Sequence, residues 1–426
     1  MTNARVLVVQ MSIARKLTEY FDRTQLMLRI EKRWSSLADK IRAGWRGGSA
    51  RTRSDANCEP TRNDSLYEGG GSFSQSRPDP ATPGKPVKRV LIYRLGSLGD
   101  TVVALPCLHK VAEVFPDAER YVLTNLPVSS KAAPLESILA NSGLIDGVVL
   151  YPVRLRSIAR LWDLASRLRA LEVSTLVYLM DFRGVLTVYR DLAFFRLCGV
   201  KHIVGAPNLW TLIKQDKVDA DGNVEQECIR LAATLAEFGP VDLDRRASWD
   251  LMLTDAERHV AGDAVAPFAS RPFIAINMGG KVAQNHWGNE NWRGLFIELA
   301  QTHGSYGLLV VGGADDASCV GEVTGNWPSP VVNACGRLSP RESAAALESA
   351  CLFIGHDSGP MHLAAACGVV CVALFSGNNP PRKWHPYGPR HRVIQRMEGI
   401  ALISVKEVAA AVRASLPAPA AVKTHS

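Results

Sequence analysis

Two short stretches of this chain combine residue types that bind anions or move protons. The first is RLGSLGD, residues 94–100, which follows an apolar run and leads into a helical pattern. Gly96 and Gly99 allow the backbone to turn tightly and approach a ligand, and Asp100 then lies near the amino end of the helix. A carboxylate there is either a helix cap or, at the edge of a cleft, a general base. The stretch is neither a P-loop nor a GxGxxG motif.

The second stretch is GHDSGPMHLAAACG, residues 355–368, between two apolar runs. Asp357 or Ser358 can cap the following helix, and Pro360 falls in its first turn. The backbone N–H groups at such a helix start lack intrahelical acceptors and form a seat for an anion such as a diphosphate. His362 is either an additional donor to that anion or a histidine packed against the sheet.

The elements around these stretches follow a regular pattern. Short β-branched runs alternate with helical patterns from residue 88 onward, which predicts parallel sheets. The predicted strands are 88–95, 120–125, 147–152, 174–180 and 202–205 in one series, and 272–279, 307–313, 331–336, 351–355 and 369–377 in the other. The sequence therefore predicts an α/β protein with two doubly wound domains and a ligand cleft at the carboxyl ends of their strands.

The composition predicts five segments. They are a basic amphipathic helical arm (1–46), a flexible linker (47–87), an N-terminal Rossmann-like domain (88–245), a C-terminal Rossmann-like domain (246–416) and a disordered tail (417–426). Helical spacing in the arm places on one face Met27, Ile30, Trp34, Leu37, Ile41 and Trp45.

Charge is concentrated in the same arm. Residues 1–53 carry twelve Lys/Arg against four Asp/Glu, which accounts for the whole net charge of +8. The high pI therefore belongs to the arm and does not indicate a nucleic-acid-binding surface. Three interpretations stay open: the arm binds an anionic membrane surface, it packs on the body or a partner, or the start codon is misjudged.

Other features restrict the class of protein. The nine cysteines are scattered without a CxxC pair, so neither a disulfide framework nor a zinc ribbon is predicted, and a reducing cytosol fits. The longest uncharged apolar stretch, 364–377, is shorter than the roughly 18 residues of a membrane span. The N-terminus does not have the pattern of a secretory signal. We expect a cytoplasmic protein, peripheral on the inner membrane if the arm binds lipid. Asp-x-Asp strings at 219–221 and 242–244 lie in polar loops, and no metal is predicted.

Six motifs occur in order between residues 88 and 395. They are RLGSLGD followed by Pro106, DFRG (181–184), RLCGVKHIVGA (196–206), NMGG…HWGNENW (277–292), VVGGADD (310–316) and HDSGPMHLAAACG…VALFSG. Together they resemble the bacterial heptosyltransferase family, glycosyltransferase family 9. The resemblance implies the GT-B fold, with two facing Rossmann-like domains. The N-terminal one (88–245) would be the acceptor domain and the C-terminal one (246–416) the nucleotide-sugar donor domain. It also implies inverting transfer of heptose from ADP-heptose to the lipopolysaccharide core, without a metal or other cofactor.

The resemblance also implies roles for single residues. Asp100 matches the family's catalytic aspartate, which deprotonates the acceptor hydroxyl. Donor contacts are implied for Asp357, Ser358, Gly359, Pro360, His362, Met278, Gly279, Lys281 and Glu342. Acceptor contacts are implied for Arg94, Gly96, Ser97, Gly99 and Arg183. For Glu342 the alternative is an ordinary helix glutamate, and the pair Asp315–Asp316 is interpreted as a helix start.

One position departs from the family pattern. Members usually carry a lysine two positions before the tryptophan that matches Trp287, and here that residue is Asn285. A neutral amide does not offset the charge of a departing diphosphate, so Lys281, Arg382 or Lys383 would have to supply it. The departure keeps two alternatives open: a non-catalytic or weakly active nucleotide-sugar or glycan-binding relative, and a member with a different sugar donor. A Rossmann oxidoreductase is disfavoured because the dinucleotide fingerprint is missing.

Overall fold

The computed structural model describes most of the chain from Lys88 to Leu416. The described ranges are 88–125, 133–151, 158–181, 183–207, 218–219, 221–269, 271–280 and 283–416. The predicted arm, linker and C-terminal tail, and with them Lys281, lie outside these residues. Residues Gly84–Ser426 form one compact unit.

The N-terminal half of this unit is built on a five-stranded sheet. Its strands are β1 (Arg89–Tyr93), β2 (Glu119–Thr124), β3 (Gly147–Leu150), β4 (Thr175–Tyr178) and β5 (His202–Val204). They are all parallel, in the order β3-β2-β1-β4-β5. The chain runs outward from β1 in one direction and from β4 in the other, so the order reverses between these two strands. A crevice forms at the carboxyl ends of strands at such a reversal.

The C-terminal half repeats the arrangement with six strands. They are β6 (Phe273–Asn277), β7 (Gly307–Val310), β8 (Val331–Asn333), β9 (Leu352–His356), β10 (Cys371–Phe375) and β11 (Arg392–Gln395). All are parallel, in the order β11-β10-β9-β6-β7-β8, and the reversal lies between β6 and β9. The predicted fold class, two parallel-sheet α/β domains, is confirmed. The exact domain limits stay a prediction.

Helices connect the strands. They are α1 (Leu98–Val102), α2 (Leu105–Val114), α3 (Glu136–Leu139), α4 (Ile158–Ala170), α5 (Val185–Leu197), α6 (Glu227–Thr234), α7 (Asp255–Val265), α8 (Asn289–His303), α9 (Ala317–Thr324), α10 (Pro340–Leu347), α11 (Gly359–Ala366) and α12 (Val405–Ser415). No helix in the described part of the chain is long and apolar enough to cross a bilayer.

The apolar runs of the sequence form the inner strands of the sheets because both faces of these strands are buried. Strands β6, β9 and β10 are buried at every residue, as expected for parallel strands covered by helices on both faces. One predicted helix, over TVVALPCLHKVAEVF, is divided instead into α1 and α2. Pro106 has no N–H to continue the helix, and it stands in the first turn of α2, where none is needed.

Candidate active site

The two sheets present their reversal points to a common cavity. In the N-terminal domain the loop after β1 and the short helix α1 reach it, and in the C-terminal domain the residues after β6 and β9 do. The cavity has a volume of about 840 Å³. Both stretches singled out in the sequence therefore line one space, Asp100 on one side and Asp357–His362 on the other.

The carboxylate of Asp100 is held by the turn that carries it. Its Oδ2 accepts hydrogen bonds from the backbone N–H of Ser97 (2.7 Å) and from the Ser97 hydroxyl (3.0 Å). Asp100 is the third residue of α1, so this is the reciprocal half of a capping box. The same side chain lines the cavity. Asp100 is thus both a helix cap and an acidic group at the cleft, two interpretations that the sequence could not separate.

Gly96 allows the loop to fold onto this carboxylate. Its φ is +155°, a region that favours glycine. A Cβ at this position would lie 2.4 Å from the Cβ of Asp100, closer than real Cβ atoms approach one another. The absence of a side chain at Gly96 therefore gives Asp100 the room to turn back toward Ser97.

The start of α11 faces the cavity from the C-terminal domain. Ser358 is its N-cap residue and Pro360 is in its first turn. The Ser358 hydroxyl does not cap the helix. It donates instead to Oδ1 of Asn277 at the end of β6 (2.9 Å), and the Asn277 amide donates to the carbonyl of Val311 (2.9 Å). Because the Ser358 side chain does not cap α11, N–H groups in the first turn of this helix can bind an anionic group in the cavity.

Two buried histidines line the same side. Burial lowers the pKa of His356 to about 3, and it lowers the pKa of His362 to about 4 although the Asp100 carboxylate acts in the opposite direction. Both imidazoles are therefore neutral at pH 7. The backbone N–H of Trp287 donates to Nε2 of His356 (3.1 Å), so the proton of that ring is on Nδ1, facing the carbonyl of Gly279.

A cluster of amides occupies the position at which the resemblance implies lysine. Asn285 is buried, and its Oδ1 accepts from the Ser376 hydroxyl and the Asn378 amide, both at 2.7 Å. Its own amide faces the carbonyl of Asp357 (3.4 Å), and the Asn379 amide donates to the Asp357 carboxylate (2.6 Å). The residue that replaces the cation is thus fixed by neutral hydrogen bonds.

The charged side chains among the described residues of the cavity wall are all acidic. Among the described residues this wall includes four carboxylates, from Asp100, Asp315, Asp316 and Asp357, and no lysine or arginine. Arg382 and Lys383, two of the suggested substitutes for the family lysine, are not among the lining residues. Arg382 is paired with Asp219 (3.7 Å), and Lys383 is paired with Asp181 across the domains (3.2 Å).

The sequence was compared with known families and proteins. Residues 204–408 match the model of glycosyltransferase family 9 (heptosyltransferase). Lipopolysaccharide heptosyltransferase 3 of Escherichia coli (strain K12) is 30% identical over 148 residues, which are 31% of this chain and 42% of that protein. The chain thus spans about two fifths of the length of the curated relatives that it matches.

Over residues 204–408 this chain is thus similar to the heptosyltransferases of glycosyltransferase family 9. The matched residues contain the whole start of α11 and the amide cluster, whereas Asp100 lies before them.

Solved structures show the same fold around the family 9 domain. The glycosyl transferase family 9 structure from Veillonella parvula has a TM-score of 0.59 at 19% identity, covering 77% of this chain and 97% of that one. The Escherichia coli ADP-heptose lps heptosyltransferase II has a TM-score of 0.56 at 16% identity, covering 77% and 98%. At these identities the likeness concerns the fold, which is GT-B-like.

Three of the predicted contact residues do not line the cavity. Arg94 was expected to contact the acceptor, but it is only 2% exposed and binds protein groups. Met278 was expected to contact the donor, but its side chain is part of the hydrophobic core beneath β6. The carboxylate of Glu342 accepts from the backbone N–H of Ser339 (2.7 Å), so it caps α10 and is not among the cavity-lining residues.

Other predicted residues reach the cavity. Those that line it are Ser97, Gly99, Asp100, Gly279, Asp357, Ser358, Gly359, Pro360 and His362. Arg183 is exposed in the loop after β4, where it donates weakly to the Tyr93 hydroxyl (3.4 Å), and it does not line the cavity. Asp316 does more than start a helix, because it lines the cavity and accepts from the N–H of Gly313 (2.9 Å).

Sequence reasoning missed a group of lining residues after β10. Asn378, Asn379 and Trp384 all border the cavity. Their position in the sequence could have indicated them. They follow a predicted strand, and ligands bind at the edge that the carboxyl ends of parallel strands form. The sequence drew attention only to the two cations of this segment, which are engaged in ion pairs.

Proposed function

We propose that this protein is an inverting glycosyltransferase that moves a heptose or related sugar from a nucleotide-diphosphate donor to a lipopolysaccharide core or other lipid-linked glycan. One observation carries the proposal: a cleft-facing carboxylate, Asp100, and an uncapped helix start, α11, line the same cavity from opposite domains. The relatives' names supply the chemistry, since one is a lipopolysaccharide heptosyltransferase and another an ADP-heptose lps heptosyltransferase.

In this proposal Asp100 is the general base. It takes the proton of the acceptor hydroxyl as that oxygen attacks the anomeric carbon of the donor sugar. The two bonds from Ser97 keep Oδ2 in place during the transfer. Attack from one domain while the diphosphate departs toward the other inverts the anomeric centre.

The donor diphosphate binds at the start of α11. The N–H groups near Ser358 and Gly359 and the dipole of the helix stabilise the negative charge that grows on the leaving group. His362 is neutral and contributes at most one N–H. The proposed donor is ADP-heptose, and no divalent metal takes part. Gly279 lines the same cavity, and the proposal assigns it a contact with the nucleotide. A side chain at this position would collide with Asp316.

The acceptor approaches from the N-terminal domain, with the exposed Arg183 as its contact for an acidic group. The protein acts at the cytoplasmic face of the inner membrane, to which the basic arm (residues 1–46) binds. Deletion of residues 1–53 is expected to abolish binding to anionic vesicles while the body stays folded. Unchanged vesicle binding by the truncated protein would contradict this part of the proposal.

The deciding experiment measures ADP release from ADP-heptose in the presence of a heptose-deficient lipopolysaccharide acceptor. Asp100→Asn is expected to lower the rate by about 10² to 10⁴ while ADP affinity stays close to wild type. Asp163→Asn, on the exposed face of α4, is the matched control and keeps the wild-type rate. Equal rates with magnesium and with a chelator are expected. A wild-type rate for Asp100→Asn would reject Asp100 as the base.

A second function is favoured by one observation. Asn285 replaces the family lysine, and the described cavity wall has no lysine or arginine, so a nucleotide sugar could bind here without effective turnover. Such a binding protein would show calorimetric affinity for ADP-heptose but no ADP release. Binding of another nucleotide sugar in preference to ADP-heptose would instead indicate a different donor.

A further inference from the structure

Arg94 closes the loop that carries Asp100. It follows β1 directly, and its Nε and Nη2 both donate to the carbonyl oxygen of Asp100, at 3.2 and 2.8 Å. Its Nη1 donates to the carbonyl of Leu179, just after β4, at 2.8 Å. The guanidinium thus fixes the first turn of α1 relative to the two central strands of the sheet.

Glu227 completes the environment of this guanidinium. It is 1% exposed, and its Oε1 lies 3.4 Å from Nη1 of Arg94. Arg230 binds the same carboxylate from the other side, with Nη2 at 2.6 Å from Oε1 and Nε at 2.8 Å from Oε2. A buried charge that lost its partner would be strongly unfavourable, so the three side chains are held as one unit.

The backbone of the same segment contacts the donor domain. The N–H of Glu227 donates to the carbonyl of Lys383 (2.9 Å), and the N–H of Val224 donates to that of Pro381 (3.0 Å). The side-chain amide of Gln226 donates to the carbonyl of His385 (3.2 Å). The segment 378–385 is therefore attached to the N-terminal domain next to Glu227.

Segment 378–385 also forms part of the donor side of the cavity. Asn379 binds the carboxylate of Asp357, and the ring of Trp384 meets that of His362 edge-on, with 6.3 Å between their centroids. A continuous series of contacts thus runs from the start of α11 through this segment to Glu227, then through Arg94 to Asp100.

We propose that Glu227 is a positioning residue that couples occupancy of the donor site to the placement of Asp100. A nucleotide diphosphate at the start of α11 restrains segment 378–385. Through the backbone bonds to Glu227 and the ion pair to Arg94, that restraint reaches the carbonyl of Asp100. Ser97 and Arg94 already hold Asp100 without a ligand, and the bound donor holds the base more firmly. This inference rests on the proposed function, because it assigns Asp100 as the base.

The test uses Glu227→Gln, which removes the charge but keeps the side-chain shape and the N–H to Lys383. Loss of the ion pair frees Arg94, so kcat for ADP release from ADP-heptose is expected to fall by about tenfold to hundredfold with the donor KM unchanged. Hydrogen exchange without ligand is expected to become faster at the amides of Thr101, in α1, and of Val103, which follows α1 and donates to the carbonyl of Gly99. Glu237→Gln, an exposed carboxylate ten residues on, is the control and changes neither quantity.

A ligand titration supplies the second half of the test. In the wild-type protein, ADP is expected to slow hydrogen exchange at the amides of Val224 and Glu227. ADP binding that leaves these amides unchanged would overturn the coupling, as would a Glu227→Gln variant with normal kcat and normal exchange in α1. Glu227→Asp, which keeps the charge but withdraws the carboxylate from Arg94, replaces Glu227→Gln if that variant does not fold, with the same expected direction in both measurements.

Failure of the proposed function is recognised separately. A wild-type protein that releases no ADP from ADP-heptose refutes the transferase proposal. The exchange at Thr101 and Val103 is read without ligand, so it still decides the coupling. Faster exchange in the variant supports the link from Glu227 to α1, and unchanged exchange overturns it.

Discussion

At the N-terminal-domain end of the cavity, the Asp100 loop is supported by three charged side chains, the buried Arg94 and Glu227 and the partly exposed Arg230. At the other end, the residues around Asp357 are supported by the Asn285 amide and by unprotonated imidazoles. The first end is held together by ion pairs. The second depends on neutral hydrogen bonds and on histidines that stay uncharged. The two ends should therefore respond differently to pH, to salt and to substitution.

Lowering the pH should reduce the free energy of unfolding through the buried histidines at the Asp357 end of the cavity. The folded pKa of His362 is about 4, below the ordinary 6.5, so the folded state resists protonation of this ring. Its stabilising contribution is complete above pH 6.5 and is lost as the pH falls from 6.5 toward 4. The full loss for this one residue is about 3 kcal/mol, because each pKa unit corresponds to about 1.4 kcal/mol. Denaturant unfolding at pH 7 and at pH 4.5 measures how much of the free energy of unfolding is lost between these two pH values.

The matched variants for this prediction are His362→Gln and His259→Gln. The first should reduce the difference in unfolding free energy between the two pH values. The second changes a histidine on the exposed face of α7 and should leave the difference as it is in the wild type. An unreduced difference in His362→Gln would show that the ring is not held neutral by burial.

A positively charged side chain introduced at position 285 tests whether the Asp357 end of the cavity binds phosphate less tightly because it has no cation there. Asn285→Lys is expected to tighten ADP binding by about tenfold at low salt, since a charge-assisted bond to phosphate exceeds the neutral bonds that are lost. The gain should shrink as the salt concentration rises. Calorimetric titration at two salt concentrations measures both effects.

Asn285→Met is the control for that substitution, because it removes the amide without adding charge. It should bind ADP no better than the wild type. Equal affinities for the lysine and methionine variants would mean that the diphosphate does not pass near residue 285.

The smallest effect is expected for Glu342, which the structure assigns to a helix cap. Glu342→Ala should lower the free energy of unfolding by about 0.5–1 kcal/mol, and ADP affinity should not change. Glu407→Ala removes the equivalent capping-box residue of α12. Glu407→Ala also removes an ion pair with Arg396, so it should lower the free energy of unfolding at least as much as Glu342→Ala. Neither variant should change ADP affinity. Weaker ADP binding in Glu342→Ala alone would restore this residue to the donor site.

The sequence was sufficient for the parts of the molecule that depend on local pattern. Central strands such as β6 and β9 are continuous apolar runs, and only a covered parallel sheet buries such runs on both faces. The motifs at Asp100 and Ser358 follow strands, so their meeting in one cavity could be inferred from topology. Strand β11 was missed because Arg392–Gln395 is a partly exposed edge segment without an apolar signal.

The errors concern where individual side chains point. Met278 follows β6, and the sequence does not show that its side chain enters the core. The burial of Arg94 depends on Glu227, which is 133 positions away and lies on another helix. No local pattern in RLGSLGD announces that partner. Contacts of this kind arise only when the chain is folded, and they decide which charged residues remain for substrates.

Two glycines at the cleft limit which substitutions this protein can accept. A Cβ on Gly99 would lie 2.9 Å from the ring of His362, and one on Gly359 would lie 2.7 Å from the side chain of Leu98. At both places α1 and α11 approach so closely that a hydrogen atom is the largest side chain that fits. A substitution at either glycine would therefore require α1 or α11 to move. The two contacts thus limit how far Asp100 can lie from the start of α11.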